Sequence, residues 1–237
     1  LANLGFTFIN SGTVNANNGT LNLLASFTQT GGASLTRLNS GNLGGGITFN
    51  FNGGTLSGIG TITGNVNNTG AIVGPGLTPG TLTITGNYTQ GAGGSLNIEL
   101  GGAGAGQFDV LAISGIATLA GTLNIQPFAA FVPSGSFQVM TFASRSGNFT
   151  TFNNTTANAA LTTVPGAADY ALNFSAAACN ITAAASGDWA SGATWGGGVV
   201  PGAGDNPCIG GAFAVSVTTA GQAANSLTVT STSPFTV

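Results

Sequence analysis

An internal repeat constrains the fold of this chain more than any other feature. Residues 80–96 match residues 19–35 at eight of seventeen positions, including a shared Thr-Gln pair. Across 80–100 apolar residues alternate with small polar ones, and Gly or Asn interrupts the alternation after each short run. That pattern is typical of short β-strands joined by tight turns. The repeat therefore predicts a fold made of similar strand-and-turn units.

A second internal match has the same character. Residues 115–124 repeat five residues of 58–67 in the same order, namely Gly58, Ile59, Thr61, Gly64 and Asn67. Turn residues recur roughly every 18–22 residues and longer units lie about 60 residues apart, which is the pattern of a β-solenoid. Ordering one unit costs about 1–2 kcal/mol per residue in backbone entropy, so an isolated unit is unstable and neighbouring units must stack.

Composition supports an all-β fold. Only seven of the 237 residues are charged, and the chain has neither Lys nor His. A hydrophobic content of 42% argues against disorder. The scarcity of Lys, Glu and Arg disfavours surface helices, whereas 41 Gly with many Thr and Asn favour strands and turns.

The same composition excludes several classes of function. Two cations and a net charge of −3 offer no phosphate-binding surface, so nucleic acid is excluded as a partner. The many Ser and Thr lack a His or Lys base, and two Cys without His do not form a catalytic metal site. No apolar run approaches the roughly 18 residues of a membrane-spanning helix, so no membrane insertion is expected in this segment. The chain is predicted not to be an enzyme and to bind no cofactor or metal.

The two cysteines, Cys179 and Cys208, bear on the compartment. In a secreted chain the simplest interpretation is one disulfide between them, and two buried free thiols are the alternative. The sequence has no initiator Met and no signal peptide, so mature or excised material is expected.

Four carboxylates are candidates for chemistry. Glu99 and Asp109 are either a carboxylate pair for glycoside chemistry or structural groups, and nothing in the sequence fixes their separation. Asp188 and Asp205 either start turns or share a calcium ion. The glycine-rich residues 101–106 precede a strand-like segment, so they predict a turn rather than a phosphate-binding loop.

The pattern changes along the chain and predicts three segments. Residues 1–126 are predicted to form the solenoid, and the Phe-rich residues 127–178 to close or widen it. Residues 179–237 form a module with both tryptophans and both cysteines, followed by the start of further rungs. Trp189 and Trp195 are either platforms that stack on sugar rings or plugs that fill the end of a solenoid.

Several stretches resemble a known family. The runs PGTLTITGNYTQGAGGSLNIEL, FDVLAISGIATLAGTLNI and SGSFQVMTF resemble the autotransporter-associated β-helix repeats of large repetitive bacterial surface proteins. GDWASGATWGGGVVPGAGDNPCI, followed by NSLTV, looks like the module that opens a new β-helix in the same proteins. The resemblance covers about residues 10–237. It implies a right-handed parallel β-helix in a secreted or surface-displayed adhesin, stalk or matrix fibre.

The two ends of the chain suggest self-association. Residues 225–237 and 1–23 both alternate like strands, whereas solenoids normally carry polar caps. The chain is therefore expected to be one unit of an array, joined in tandem or stacked head to tail into an open filament. The expected function is that of an extracellular structural protein in a fibre, stalk or sheath. The alternative is an adhesin or glycan-binding β-helix with surface glycans as partners; few and scattered charges disfavour a polysaccharide-cleaving enzyme.

Overall fold

The computed structural model describes residues 2–129, 131–156, 159–176, 179–224, 227–230 and 235–236. The described chain is all-β, as predicted, and divides into two compact units. Unit 1 comprises residues 1–156 and 161–174, and unit 2 comprises residues 157–160 and 175–237. Helical segments in these ranges are limited to short 3-10 turns at Gly192–Thr194 and Gly196–Gly198, and none has the length and hydropathy needed to cross a membrane.

Unit 1 is built from three columns of parallel strands, and each turn of the chain adds one strand to each column. The first column contains β1 (Ala2–Leu4), β4 (Thr20–Leu23), β7 (Asn42–Gly44), the end of β9 (Thr55–Ile62), β12 (Thr81–Ile84), β15 (Val110–Ile113) and β18 (Gly135–Thr141). The second contains β2 (Phe8–Asn10), β5 (Phe27–Gln29), β8 (Thr48–Phe51), β10 (Asn65–Asn68), β13 (Tyr88–Gln90), β16 (Ile116–Leu119) and β19 (Ser144–Gly147). The third contains β3 (Thr13–Asn17), β6 (Leu35–Asn39), the start of β9, β11 (Ile72–Pro75), β14 (Ser95–Leu100), β17 (Thr122–Pro127) and β20 (Thr151–Asn154).

This arrangement is a solenoid-like stack, and the internal repeat corresponds to one of its turns. Strands β4 and β12, which begin the two copies, both lie in the first column, and β5 and β13 both lie in the second. Cross-turn side-chain bonds join residues 19 apart in the first turns and 29 apart in later turns. Part of the added length is the loop over 101–107, where Gly101 N–H donates to the Gln107 carbonyl at 2.8 Å.

The interior is filled by mostly apolar side chains that stack on each other from turn to turn. Because side chains alternate between the two faces of a strand, every second residue points inward. In the second column the Phe27 ring lies 5.9 Å from Phe8 and 5.7 Å from Phe49, measured between centroids. The first and third columns bury aliphatic side chains instead, among them Leu23, Leu43, Ile62, Ile84, Leu56, Val73, Leu96 and Leu123. Each turn thus buries part of its apolar surface against the neighbouring turns, which is consistent with the instability expected of an isolated turn.

The Phe-rich segment changes the pairing at one end of unit 1. Strands β18, β19 and β20 add another parallel turn. Strand β22 (Asp169–Ala176) then pairs antiparallel with β18, and β21 (Ala159–Pro165) lies beside β22. The Phe137 ring packs edge-on against Phe108, Phe131 and Phe174. An antiparallel strand ends the run of parallel pairing in the first column.

Unit 2 contains two small parallel sheets. One consists of β23 (Ile181–Thr182), β25 (Pro207–Ile209) and β27 (Thr228–Val229), and the other of β24 (Gly187–Asp188), β26 (Val215–Ser216) and β28 (Phe235–Thr236). The chain passes from one sheet to the other and back, so unit 2 also stacks successive turns. Its buried core is formed by Trp189, Trp195, Ile209 and Val215.

Candidate functional site

The outer face of the third column carries a row of polar side chains. Residues with their side chains on this face form a row across successive strands. Register places Ser57 beside Gly74, Asn97 beside Asn124, and Asn124 beside Asn153. The row is therefore polar for three consecutive turns and has a glycine before them.

The three asparagines form a hydrogen-bonded amide ladder. Asn124 Nδ2 donates to Asn97 Oδ1 at 2.7 Å, and Asn153 Nδ2 donates to Asn124 Oδ1 at 2.8 Å. A side-chain amide has two N–H donors and an oxygen with two lone pairs. Asn124, in the middle, uses one donor and one lone pair within the ladder. The ladder therefore leaves one N–H of the Asn124 amide and one lone pair of its oxygen for another partner.

Two adjoining cavities lie along this row. The first has a volume of about 160 Å³ and the second about 660 Å³, and Asn97 and Gln126 line both. Ile72, Pro75 and Leu77 supply apolar surface to the first cavity, whereas Phe152 supplies it to the second. We call this continuous depression the third-column groove.

Gly74 forms part of the lining of the groove. A Cβ atom built on Gly74 meets no heavy atom within 4 Å, and its backbone is not in the left-handed region. Neither packing nor backbone conformation therefore requires glycine here. Glycine inside a strand often marks a place where a ligand or another chain approaches the backbone closely.

Glu99 and Asp109 are brought together at the edge of the groove. Asp109 Oδ2 accepts the backbone N–H of Glu99 at 2.9 Å, and Asp109 Oδ1 accepts that of Gly80 at 2.9 Å. The Asp109 N–H donates to the Glu99 carbonyl at 2.9 Å. Asp109 is buried, whereas Glu99 is half-buried and lines the first cavity with it. The Asp109 carboxyl thus joins two turns through backbone N–H groups, and the Glu99 side chain is the more accessible acid.

The pKa of Asp109 is raised to about 7, mainly by burial; the two backbone N–H bonds oppose the rise, and the negative charge of Glu99 adds a smaller contribution to it. Because the folded-state pKa exceeds the ordinary value of 3.8, the folded state gains stability as pH falls through 7. We expect the free energy of unfolding of unit 1 to increase by about 2–3 kcal/mol between pH 8 and pH 5. The chain has no His, so no histidine titration contributes to the pH dependence of stability in this range.

Urea unfolding at several pH values measures this effect. Both tyrosines, Tyr88 and Tyr170, lie in unit 1, so near-ultraviolet circular dichroism of tyrosine reports its unfolding. Asp109→Asn is the control, since it removes the titrating group and should flatten the profile. Stability that stays level or falls between pH 8 and pH 5 would contradict the prediction.

The predicted disulfide is present in unit 2. Cys179 and Cys208 are bonded, with their Cα atoms 5.6 Å apart. Cys208 lies in β25 and Cys179 precedes β23, the strand that pairs with β25. Beside the bridge, Asn180 Nδ2 donates to Asp205 Oδ1 at 2.7 Å. The bridge thus links two successive turns at a surface where Cys179 is exposed.

Removing the disulfide should destabilise unit 2. The bridge closes a loop with a sequence separation of 29, and the chain-entropy relation gives about 3.6 kcal/mol for a loop of that size. We expect the Cys179→Ser, Cys208→Ser double variant to lose about 2–4 kcal/mol. Both tryptophans lie in unit 2, so tryptophan fluorescence during urea unfolding monitors this loss. An unchanged tryptophan transition, or an equal loss in the tyrosine signal, would contradict a role confined to unit 2.

Trp189 and Trp195 lie in the core of unit 2. Their ring centroids are 4.9 Å apart in an edge-on arrangement, and only 3% and 2% of their surfaces are exposed. Trp195 Nε1 donates to the Trp189 carbonyl at 2.8 Å. Rings buried in this way have no free face on which a sugar ring could stack. The burial therefore does not support the alternative in which the two tryptophans are platforms for sugar rings.

The other candidate carboxylates bind backbone groups within unit 2. Asp188 accepts the N–H groups of Ala190 and Thr218 and the Thr218 hydroxyl, which lower its pKa, the hydroxyl most strongly. Asp205 Oδ2 accepts the Gly202 N–H at 2.8 Å. In the described ranges no three Cys, Asp or Glu side chains lie close enough together to hold a metal ion.

Neither the protein-family models nor the curated proteins contain a match to this chain. The fold and the third-column groove are therefore the features from which a function is inferred. Sequence reasoning missed the groove residues Gly74, Asn97, Asn124 and Asn153, although Leu-Asn-Ile occurs at both 96–98 and 123–125.

Proposed function

We propose that this chain is part of a right-handed parallel β-helix that acts as a rigid structural element, a fibre, stalk or sheath, on a bacterial surface. The observation that carries the proposal is the set of three uninterrupted columns of parallel strands in unit 1. Seven strands at about 4.8 Å spacing make a rod section roughly 30 Å long. The resemblance of the sequence to autotransporter-associated β-helix repeats supports both the handedness and the bacterial surface.

The mechanical role follows from where the hydrogen bonds lie. Strand-to-strand bonds run from turn to turn, so a load along the stack is shared by all three columns in parallel. The interior adds continuous stacks of side chains, such as Phe8, Phe27 and Phe49. With two basic residues in the whole chain, trypsin-like proteases have few sites. These properties suit a protein that is exposed outside the cell.

The disulfide and the edges of the columns support the remaining parts of the proposal. A stable disulfide is typical of oxidising compartments, which favours secretion. Among the described residues, β1 and β2 each pair on one side alone, and Phe6 and Ile9 near them are 59% and 65% exposed. Unpaired edges with apolar neighbours recruit further strands. Tandem units or a second copy would continue the columns there.

Electron microscopy of the purified chain and of the native protein tests the proposal. We expect rods whose width matches one solenoid, with a layer spacing of about 4.8 Å along the axis in helical reconstruction. The same reconstruction determines the hand of the coil. Compact monodisperse particles at high concentration, together with native material that contains no rods, would refute the structural role.

A further inference from the structure

The geometry points to the third-column groove as a binding site for a neutral linear polysaccharide that lies along the stack. This inference is independent of the structural role, because a rod can lack a ligand and a monomer can bind one. It depends on the shape of the groove, on the amide ladder and on the charges that surround them.

The shape of the groove matches an extended chain. The two cavities share Asn97 and Gln126, and together they extend across the strands from β9 to β20. The ladder of Asn97, Asn124 and Asn153 crosses the strands, so its hydrogen-bonding groups repeat along the axis of the stack. A linear polysaccharide can place successive sugar units against successive asparagines of the ladder, whereas a compact ligand would contact only one of them.

The chemistry of the lining matches sugar rings. A sugar offers hydroxyl groups that both donate and accept and a C–H face that packs on apolar surface. The amides of Asn97 and Gln126 donate and accept, and the Glu99 carboxylate accepts. Phe152 and Ile72 supply partly exposed apolar surface at the two ends. The Phe152 ring is held by an edge-on contact with Phe149, with 6.2 Å between their centroids.

Charge favours a neutral polymer over an acidic one. The lining of the first cavity contains the carboxyl groups of Glu99 and Asp109, the lining of the second contains no charged residue, and neither lining contains a cation. Arg37 lies one strand beyond Ser57, in register with it and outside the lining. An acidic polysaccharide would bring its charges against Glu99 without a facing cation in the groove.

Gly74 provides the sharpest test, because its site is open. Gly74→Thr places a β-branched side chain in a strand, where it is favoured, and puts side-chain atoms into the first cavity from a Cβ position that has no heavy atom within 4 Å. We expect the intact chain to bind at least one of four β-linked hexasaccharides, those of glucose, N-acetylglucosamine, xylose and mannose, in titration calorimetry. Gly74→Thr and Asn124→Ala should each weaken that binding at least tenfold.

A matched asparagine supplies the control. Asn67 donates to Asn50 at 3.1 Å in a similar ladder on the second column, away from the groove. Asn67→Ala should leave the affinity unchanged. The inference is overturned if none of the four hexasaccharides binds, if Gly74→Thr binds as well as the unaltered chain, or if Asn67→Ala has the same effect as Asn124→Ala. Stronger binding of hexagalacturonate or of an extended hexapeptide would also overturn it.

Discussion

Replacing Gln90 by Leu is expected to lower the free energy of unfolding of unit 1 by about 3–5 kcal/mol. Gln90 is fully buried at the corner between the second and third columns. Its Nε2 donates to the carbonyls of Ala120 and Thr122 in the next turn, at 2.9 and 3.1 Å, and its Oε1 accepts the Tyr88 hydroxyl at 2.7 Å. Leu fills a similar volume but satisfies none of these groups, and each buried unpaired polar group costs about 1–3 kcal/mol.

Urea unfolding followed by the near-ultraviolet signal of tyrosine measures the loss. Gln126→Leu is a matched control, because Gln126 lies on exposed surface one turn later and should change stability by no more than about 0.5 kcal/mol. The tryptophan transition of unit 2 should not change in either variant. A loss below about 1 kcal/mol for Gln90→Leu would show that the corner tolerates an apolar side chain.

The repeated Gln shows which part of the fold the sequence could predict. The Thr-Gln pairs at 28–29 and 89–90 revealed the repeat and hence the stacking of turns. Their burial was not predictable, because a polar residue is normally assigned to the surface. Gln29 Nε2 donates to the Gly53 carbonyl, 24 residues away, and Gln90 Nε2 to that of Ala120, 30 residues away. Partners at that separation appear only once the register of the turns is known.

The second internal match shows where periodicity alone misleads. Thr61 and Asn67 lie in the first and second columns, whereas their equivalents Thr118 and Asn124 lie in the second and third. The similarity therefore reflects a common strand-turn-strand pattern and not the same place in a turn. The turns also lengthen from about 20 to nearly 30 residues, so a fixed period cannot give the register. Asn97, Asn124 and Asn153 form a row only because register aligns them.

Glu99 and Asp109 illustrate the same point for the candidate site. The sequence suggested the two carboxylates as a pair but could not fix their separation. The bridge between Leu100 and Phe108, which closes the loop over 101–107, brings them together. Burial of Asp109 and its bonds to backbone N–H groups make it a structural group, while Glu99 faces the groove. Asp109 also accepts the Gly80 N–H of the preceding turn, 29 residues away, and local sequence does not reveal a contact at that separation.

A second large effect is expected at Gly58, where β9 leaves the third column and enters the first. Gly58 has φ +114°, and a Cβ atom there would meet the Leu38 carbonyl oxygen at 1.9 Å and its carbon at 2.7 Å. The backbone of the preceding turn cannot move away, because it is held by the same ladder. Gly58→Ala should therefore cost at least about 3–4 kcal/mol, from the positive φ and the clash together.

Gly74→Ala is the control for Gly58→Ala, because it makes the same change one turn later in the same column. Gly74 has an ordinary backbone conformation and open space around it, so Ala should be neutral or stabilise unit 1 by about 0.5–1 kcal/mol. Tyrosine circular dichroism during urea unfolding compares the two, and soluble yield identifies a variant that fails to fold. Equal losses in both variants would mean that Gly74 is required by the fold. A large loss of stability in Gly58→Ala with none in Gly74→Ala would show that the fold does not require glycine at residue 74. A role in the groove would then be the remaining explanation for that glycine.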